Sequence, residues 1–457
     1  MVFGAILERF IQRCPIAVMV RGLLENVLPA ASMDDIFRRH AIKQREGELL
    51  FSTIARLMTL VVCRVHRSVH AAYSAAGDME VAIKSIYNKL NGVETQVSQA
   101  LVRETAQRMN GIVKQMGVKF PAVIPGLCTR IVDGNHLAAT DHRLKELRGI
   151  GGGPLPAQAL VVLDGDTRMV RDVIPCEDAH AQERRLVVEV IESICQKEVW
   201  IADRNFCTTV FLLEVAQRDA YFLVREHATN APWEPNGRRR NAGVTESGRI
   251  YEQKVVLHNS LGDSLAARRI TIVLDKPTEN GDTEIHLLTN LPKRYRAATV
   301  ALAYRQRWRI EGAFAELDKV LEGEINTLAH PSAALFAFCL ALVAYNAYRV
   351  VRAGLSAVHG SETVETKVSS YHLGNEIDLA WYGMEVVIDD SVWEKAFATL
   401  TPRQMARQLI TIARNARLER YPRKPRGPKK KQPKRTSAET SPHVATARLL
   451  NESRTAK

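Results

Sequence analysis

Three acids stand out for what their side chains could do together: Asp133, Asp203 and Glu311. Asp133 closes the short apolar run Thr129–Asp133, and Asp203 follows the buried-type run Val199–Ala202. Glu311 falls in a helical stretch, Ala301–Leu321. Carboxylates are hard oxygen ligands of the kind Mg²⁺ prefers, and that ion keeps its remaining positions for water and phosphate. Two such ions in one site can activate a nucleophile and stabilise a leaving oxygen during in-line phosphoryl transfer. Taken singly, each acid is ordinary. An aspartate at a strand end commonly caps a turn, and Asp141, Asp164 and Asp166 compete with Asp133 for the first position.

The helical stretch adds a second observation. At about 100° per residue, Tyr304, Arg307 and Glu311 fall near 0°, −60° and −20°, on one face. A tyrosine, a cation and a carboxylate make a poor core seam. They would suit a DNA-facing surface, with the carboxylate on metal, the arginine on phosphate, and the tyrosine offering a hydroxyl and a ring. The alternative is an exposed helix with an incidental Arg–Glu i,i+4 pair, and spacing alone leaves both readings open.

The elements that must position these residues read as follows. Residues 1–122 have apolar residues at helical spacing and few strand signals, which predicts a helical N-terminal domain. Within it, Val81–Leu90 and Thr95–Met109 flank an Asn91-Gly92 turn. With Lys84, Lys89 and Arg103 they could form a DNA-reading helix-turn-helix or an ordinary helical hairpin. From Thr129 the order is strand, strand, strand, helix, strand, the order of a ribonuclease H-like core. The expected fold is therefore α/β, a mixed sheet flanked by helices, over residues 123–355. Short alternating runs between Asn/Gly-rich loops predict a β-rich insertion at about 227–292. Residues 356–418 read as a C-terminal helical region, and 419–457 as a basic, disordered tail. Ala333–Tyr345 is the most membrane-like segment, but at 13 residues it reads as a buried core helix, so no membrane association is expected.

The motifs around the three acids resemble a known family. Tyr304-Arg-Gln-Arg307-Trp-Arg-Ile-Glu311 is similar to the Y-R-E-K signature of bacterial DDE transposases of the insertion-sequence-four type. Asp133-Gly-Asn-His-Leu and Ile201-Ala-Asp203-Arg-Asn-Phe resemble that family's first and second aspartate motifs. The resemblance covers roughly residues 125–355. It implies an enzyme that cleaves DNA at element ends and transfers the strand, with Asp133, Asp203 and Glu311 holding two Mg²⁺ (or Mn²⁺) ions. Tyr304 and Arg307 would position the phosphate near the cut. The implied partner is double-stranded DNA, both terminal inverted repeats and target, bound by a homodimer. One departure is visible: the family's lysine position holds Asp318, and Lys319 comes one residue later, about 100° around the helix. Lys319 is carried over as a phosphate contact on that basis. Two rival functions share these residues: a ribonuclease H-like nuclease without strand transfer, and an inactive transposase-derived DNA-binding protein.

Charge fits a polyanionic partner. The formal net charge is +13, and from Glu419 to Lys457 there are 12 Lys/Arg against 3 Asp/Glu. Arg420–Arg435 alone contains nine cations and no acid, which suits salt-dependent, sequence-independent DNA contact or a solubilising extension. The run Arg238, Arg239, Arg240 in the insertion reads as a phosphate contact, since no acid adjoins it in sequence. Seven scattered cysteines without a Cys-x-x-Cys pair argue against a zinc ribbon or a disulfide framework, and suit a reducing cytoplasm; the resemblance implies a bacterial one, with the protein nucleoid-associated when bound to DNA.

Overall fold

Runs of β-branched and apolar residues between turn-forming loops become strands here. The computed structural model describes residues 4–77, 79–259, 262–278, 281–424 and 443–455. Its strands are β1 (Cys128–His136), β2 (Pro154–Leu155), β3 (Gln158–Asp164), β4 (Val170–Cys176), β5 (Glu198–Ala202), β6 (Tyr221–Arg225), β7 (Trp233–Pro235), β8 (Arg240–Thr245), β9 (Gly248–His258), β10 (Ser264–Leu274), β11 (Glu284–Thr289) and β12 (Val444–Ala445). Ten of them form one sheet in the order β4-β3-β1-β5-β6-β11-β10-β9-β7, with β8 also on β9.

β1, β3 and β4 pair antiparallel, whereas β1, β5 and β6 are parallel neighbours. A parallel pair needs a crossover, and α8 (Glu183–Glu192) and α9 (Thr209–Gln217) provide two of them. The β-rich segment is not a separate body. It continues the same sheet beyond β6 through antiparallel β11, β10 and β9.

Both faces of the central strands are buried, so their sequences are apolar on both parities. Val132, Val162 and Trp200 face a cluster with α8 and α9. Ile131, Val161 and Ile201 face a larger one. The larger cluster includes residues of the N-terminal helices α1 (Ala5–Arg13), α2 (Pro15–Val27), α3 (Ala30–His40), α4 (Phe51–Val62), α5 (Val69–Ala75), α6 (Ile83–Asn91) and α7 (Thr95–Gln115). It also takes in α10 (Ala297–Arg305), α11 (Trp308–Val320) and α12 (Pro331–His359). From the C-terminal region, α13 (Ser361–Lys367), α14 (Ser370–Val387), α15 (Asp390–Trp393) and α16 (Pro402–Ala413) join it. The hydrophobic core therefore crosses the boundary at 122/123 without interruption.

α12 is long and apolar enough to cross a membrane by length and composition, yet its whole apolar window is buried within the protein. Its Asn346, fully buried, serves the edge strand of the sheet. The amide oxygen accepts from Val170 N at 2.7 Å, and Nδ2 donates to Val170 O at 2.7 Å.

Three expectations change. The stretch Ala301–Leu321 is two helices, because bonds from Gln306 N to Ala303 O and Arg307 N to Tyr304 O tighten the turn between α10 and α11. In the stretch read as a disordered tail, residues 443–455 are ordered. β12 pairs with β2, and Arg448 of α17 (Thr446–Thr455) holds Asp178 at 3.0 Å. The Pro/Lys/Arg run dominates the tail's composition and hides the apolar Val444–Leu450 that follows it; residues 425–442 lie outside the described residues. Of Lys84, Lys89 and Arg103 in the helix pair α6–α7, two are used within the fold. Lys89 donates to Arg45 O at 2.9 Å, and Arg103 pairs with buried Asp172 at 2.6 Å.

Replacing Asn346 with alanine removes one partner from each of two buried backbone groups. Such groups cost roughly 1–3 kcal/mol each when left unpaired. Asn346→Ala is therefore expected to lower unfolding stability by about 2–4 kcal/mol, read from the urea midpoint. An unchanged midpoint would mean that the edge strand does not depend on this amide.

Candidate functional site

The sheet brings the first two acids together by register. β1 and β5 are parallel, with Ile131 opposite Ile201. Two residues further along each strand direction stand Asp133 and Asp203, so both carboxylates leave the same edge of adjacent strands. β1 itself continues to His136, with Asp133 still paired to Val161. Asp203 caps the short turn after β5, its Oδ1 accepting from Asn205 N at 2.8 Å.

The third acid arrives from the α10–α11 turn. Arg307 is the N-cap of α11, and Glu311 lies in its first turn. The Arg307 guanidinium is forked between the acids: Nη1 donates to Asp133 Oδ2 at 2.8 Å, and Nη2 to Glu311 Oε1 at 2.6 Å. A planar guanidinium suits two carboxylates at once.

A fourth carboxylate, Glu183 at the start of α8, completes the group. It lies against the Gly134 backbone, where any Cβ would collide with it, and accepts from Asn205 Nδ2 at 3.2 Å. Nothing in its sequence context marks it. Its placement depends on the loop between β4 and α8 returning to the end of β1.

The electrostatics record this crowding. Burial pushes the Asp133 carboxyl up to about 6, against the pull of Arg307, and Asp203, Glu183 and Glu311 raise it further. Tyr304 is buried rather than surface-facing, which corrects the reading of its ring as a DNA contact. Burial holds its hydroxyl up at about 12, so it stays protonated at neutral pH. The tightened turn places Tyr304 in the core beside Val300 and Ala301, while Arg307 reaches outward to the acids.

The other candidates lie elsewhere. Lys319 is on α11 along a basic cleft flanked by α12. Asp318 is exposed, near the positive charge of Arg64. In the insertion, Arg239 has an acidic partner after all: Glu284 at 3.5 Å, with Tyr251 beneath the guanidinium at 4.3 Å. The sheet places Glu284 on β11, beyond the reach of sequence adjacency. Arg238 and Arg240 are exposed. The rivals for the first acid serve the fold: Asp164 pairs with Arg130 at 2.5 Å, Asp166 accepts from Val123 N at 2.8 Å, and Asp141 holds surface Arg143.

The donor set can be tested against a divalent cation. The acids of the site offer carboxylate oxygens, the hard-oxygen chemistry that Mg²⁺ or Mn²⁺ takes. Their mutual repulsion calls for positive charge. Among the described residues no three such side chains stand close enough to hold an ion as they lie here, and Arg307 bonds to two of the acids instead. The residues fit a hard divalent ion in type and charge.

Residues 125–347 match the family model of the transposase DDE domain, which supports a DDE transposase. The matched stretch runs from just before β1 into α12 and contains Asp133, Asp203 and Glu311. No curated protein matches the chain.

A raised aspartate works against folding wherever it is ionised. The penalty is absent below the ordinary aspartate value and complete above about pH 6, the value of folded Asp133. In EDTA at about pH 8, Asp133→Asn is expected to be more stable than the unaltered protein by roughly 1–3 kcal/mol, measured by thermal melting. A lower midpoint for the variant would show that the Arg307 bond outweighs burial.

Proposed function

Proceeding from a transposase DDE domain in residues 125–347, we propose that this chain cuts DNA at the ends of a mobile element and joins the freed 3′ end to target DNA. The proposed fold of the catalytic part is ribonuclease H-like, and the proposed type is the insertion-sequence-four, Y-R-E-K one. The observation that carries the reading is the fork of Arg307 between Asp133 of β1 and Glu311 of α11, at the sheet edge where β5 leads into Asp203. Acids far apart in sequence meet there.

Asp133, Asp203 and Glu311 would hold two Mg²⁺ or Mn²⁺ ions. When bound, such ions lower the pKa of a water and neutralise charge on the leaving oxygen. In the first step an oxygen of water bonds to phosphorus and the 3′-oxygen leaves. In the second, that 3′-hydroxyl attacks a target phosphodiester and displaces its 3′-oxygen. The chain's own residues shape both steps. Arg307, released from the carboxylates, is placed to meet a phosphate oxygen with the same fork. The Tyr304 hydroxyl, kept protonated by burial, supports Arg307 from beneath. Lys319 and the exposed Arg238 and Arg240 contribute positive charge for the DNA backbone, with Arg239 available through exchange with Glu284. A homodimer on paired element ends completes the proposal.

The test is cleavage of labelled DNA carrying the element's own ends, with Mg²⁺ or Mn²⁺, comparing the unaltered protein with Glu311→Gln. The substitution keeps size and removes charge. Nicking and joined products are expected from the unaltered protein, and neither from the variant, while the variant still binds DNA. Equal cleavage by both would remove Glu311 from the site. Nicks without joined products would make the protein a nuclease, and binding without any cleavage an inactive DNA-binding relative.

A further inference from the structure

A second concentration of charge lies along α11, on the side next to Glu311. A cleft of about 640 Å³ opens between α11, α12, α13 and the start of α14. Eight lysine and arginine side chains line it against two carboxylates, Glu316 and Glu365. Glu365 alone is shared by three guanidiniums: Arg168 at 2.9 Å, and Arg349 and Arg352 at 3.5 Å each. Glu316 is 3.9 Å from Arg349 and also accepts from Ser370 Oγ.

Arg349 and Arg352 are what make this more than a charged surface. Both side chains are only 5% exposed. Yet Arg349 Nε, Arg352 Nε and Arg352 Nη1 have no hydrogen-bond partner among the described residues. Buried guanidinium donors without acceptors are costly, and an anion between them would relieve that cost. Arg309, on the same wall, donates to the Gly165 carbonyl. The N-terminus of the long helix α14 also opens here through Ser369 and Ser370, adding partial positive charge. Such a set favours a phosphate over a carboxylate, because several forks converge on one small volume.

We propose that this cleft binds phosphate groups of a DNA strand next to the cut. The proposal rests on the DNA-cleaving reading of the Asp133–Glu311 site and extends it. α11 carries Glu311 in its first turn and the cleft-lining Lys319 in its last, so a strand crossing the acids has a path along α11 towards Lys319. Along the helix that path covers about 12 Å, a few nucleotides.

The test is DNA binding by the full chain in EDTA, so that cleavage plays no part. A labelled duplex of random sequence is titrated over a range of salt, comparing the unaltered protein with Arg352→Gln and with Lys424→Gln, the latter exposed and safe for folding. Melting with and without inorganic phosphate, in the absence of DNA, is measured alongside. Each variant is expected to lower the slope of log affinity against log salt by about one. Phosphate is expected to raise the melting midpoint of the unaltered protein more than that of Arg352→Gln. Unchanged slopes in both variants would overturn the proposal. Unchanged slopes with phosphate stabilisation intact would assign the cleft to a free anion instead, and overturn its DNA role. Loss of metal-dependent cleavage in the unaltered protein, with the slope changes present, would strike the catalytic reading and leave the cleft standing.

Discussion

The repulsion among carboxylates gathered at one sheet edge is the constraint around which this chain is organised. Parallel pairing of β1 and β5 sets Asp133 beside Asp203, and the return of α8 adds Glu183. Glu311 joins from α11. Acids held this close, with Asp133 largely out of water, disfavour the folded state unless a cation answers them. Arg307 is that cation in the free protein, and its forked geometry lets one side chain serve two acids from opposite sides of the site. The arrangement is a compromise between the burial and repulsion of the acids and the pull of Arg307. That compromise is expected where function and stability compete.

Holding such a site requires rigid surroundings, and α12 supplies them. It is fully buried along its apolar window and touches the N-terminal helices, the C-terminal helices and the edge of the sheet. The Asn346 amide shows how polar groups are used within it: a side chain completes the backbone bonding of β4 where no further strand pairs. The helices at both ends of the chain close around this spine. The larger hydrophobic cluster therefore takes in helices from both ends of the chain and one face of the sheet.

Charge is divided between two uses. Some cations pair with acids within the fold, as Arg103 does with Asp172, Arg130 with Glu198 and Arg268 with Glu252. Those are structural, and a count of net charge cannot tell them from cations left in excess of acids. The cleft beside α11 holds the other kind, where cations outnumber their partners and some donors remain unmatched. The excess of positive charge in the body, modest in total, becomes meaningful because of where it collects.

Much of this was legible in the sequence. The strands around Asp133 and Asp203 follow from short β-branched runs, and the match to the transposase DDE domain falls on the stretch that holds the three acids and the Tyr–Arg–Glu pattern. Those signals are local, and local pattern fixes local structure. The break between α10 and α11 was not legible, since helical periodicity runs through it unbroken; only the burial of Tyr304 and the reach of Arg307 to Asp133 decide it. The partner of Arg239 and the ordering of residues 443–455 were hidden for a similar reason, because Glu284 and the β2 strand lie far away in the chain. Glu183 and the unmatched arginines of α12 belong to the same class. The sequence by itself determined which residues are acidic, basic or apolar and which short segments become strands or helices. Which of those charges face one another was decided by the tertiary structure alone, because Coulomb and hydrogen-bond energies depend on distances that sequence separation does not set.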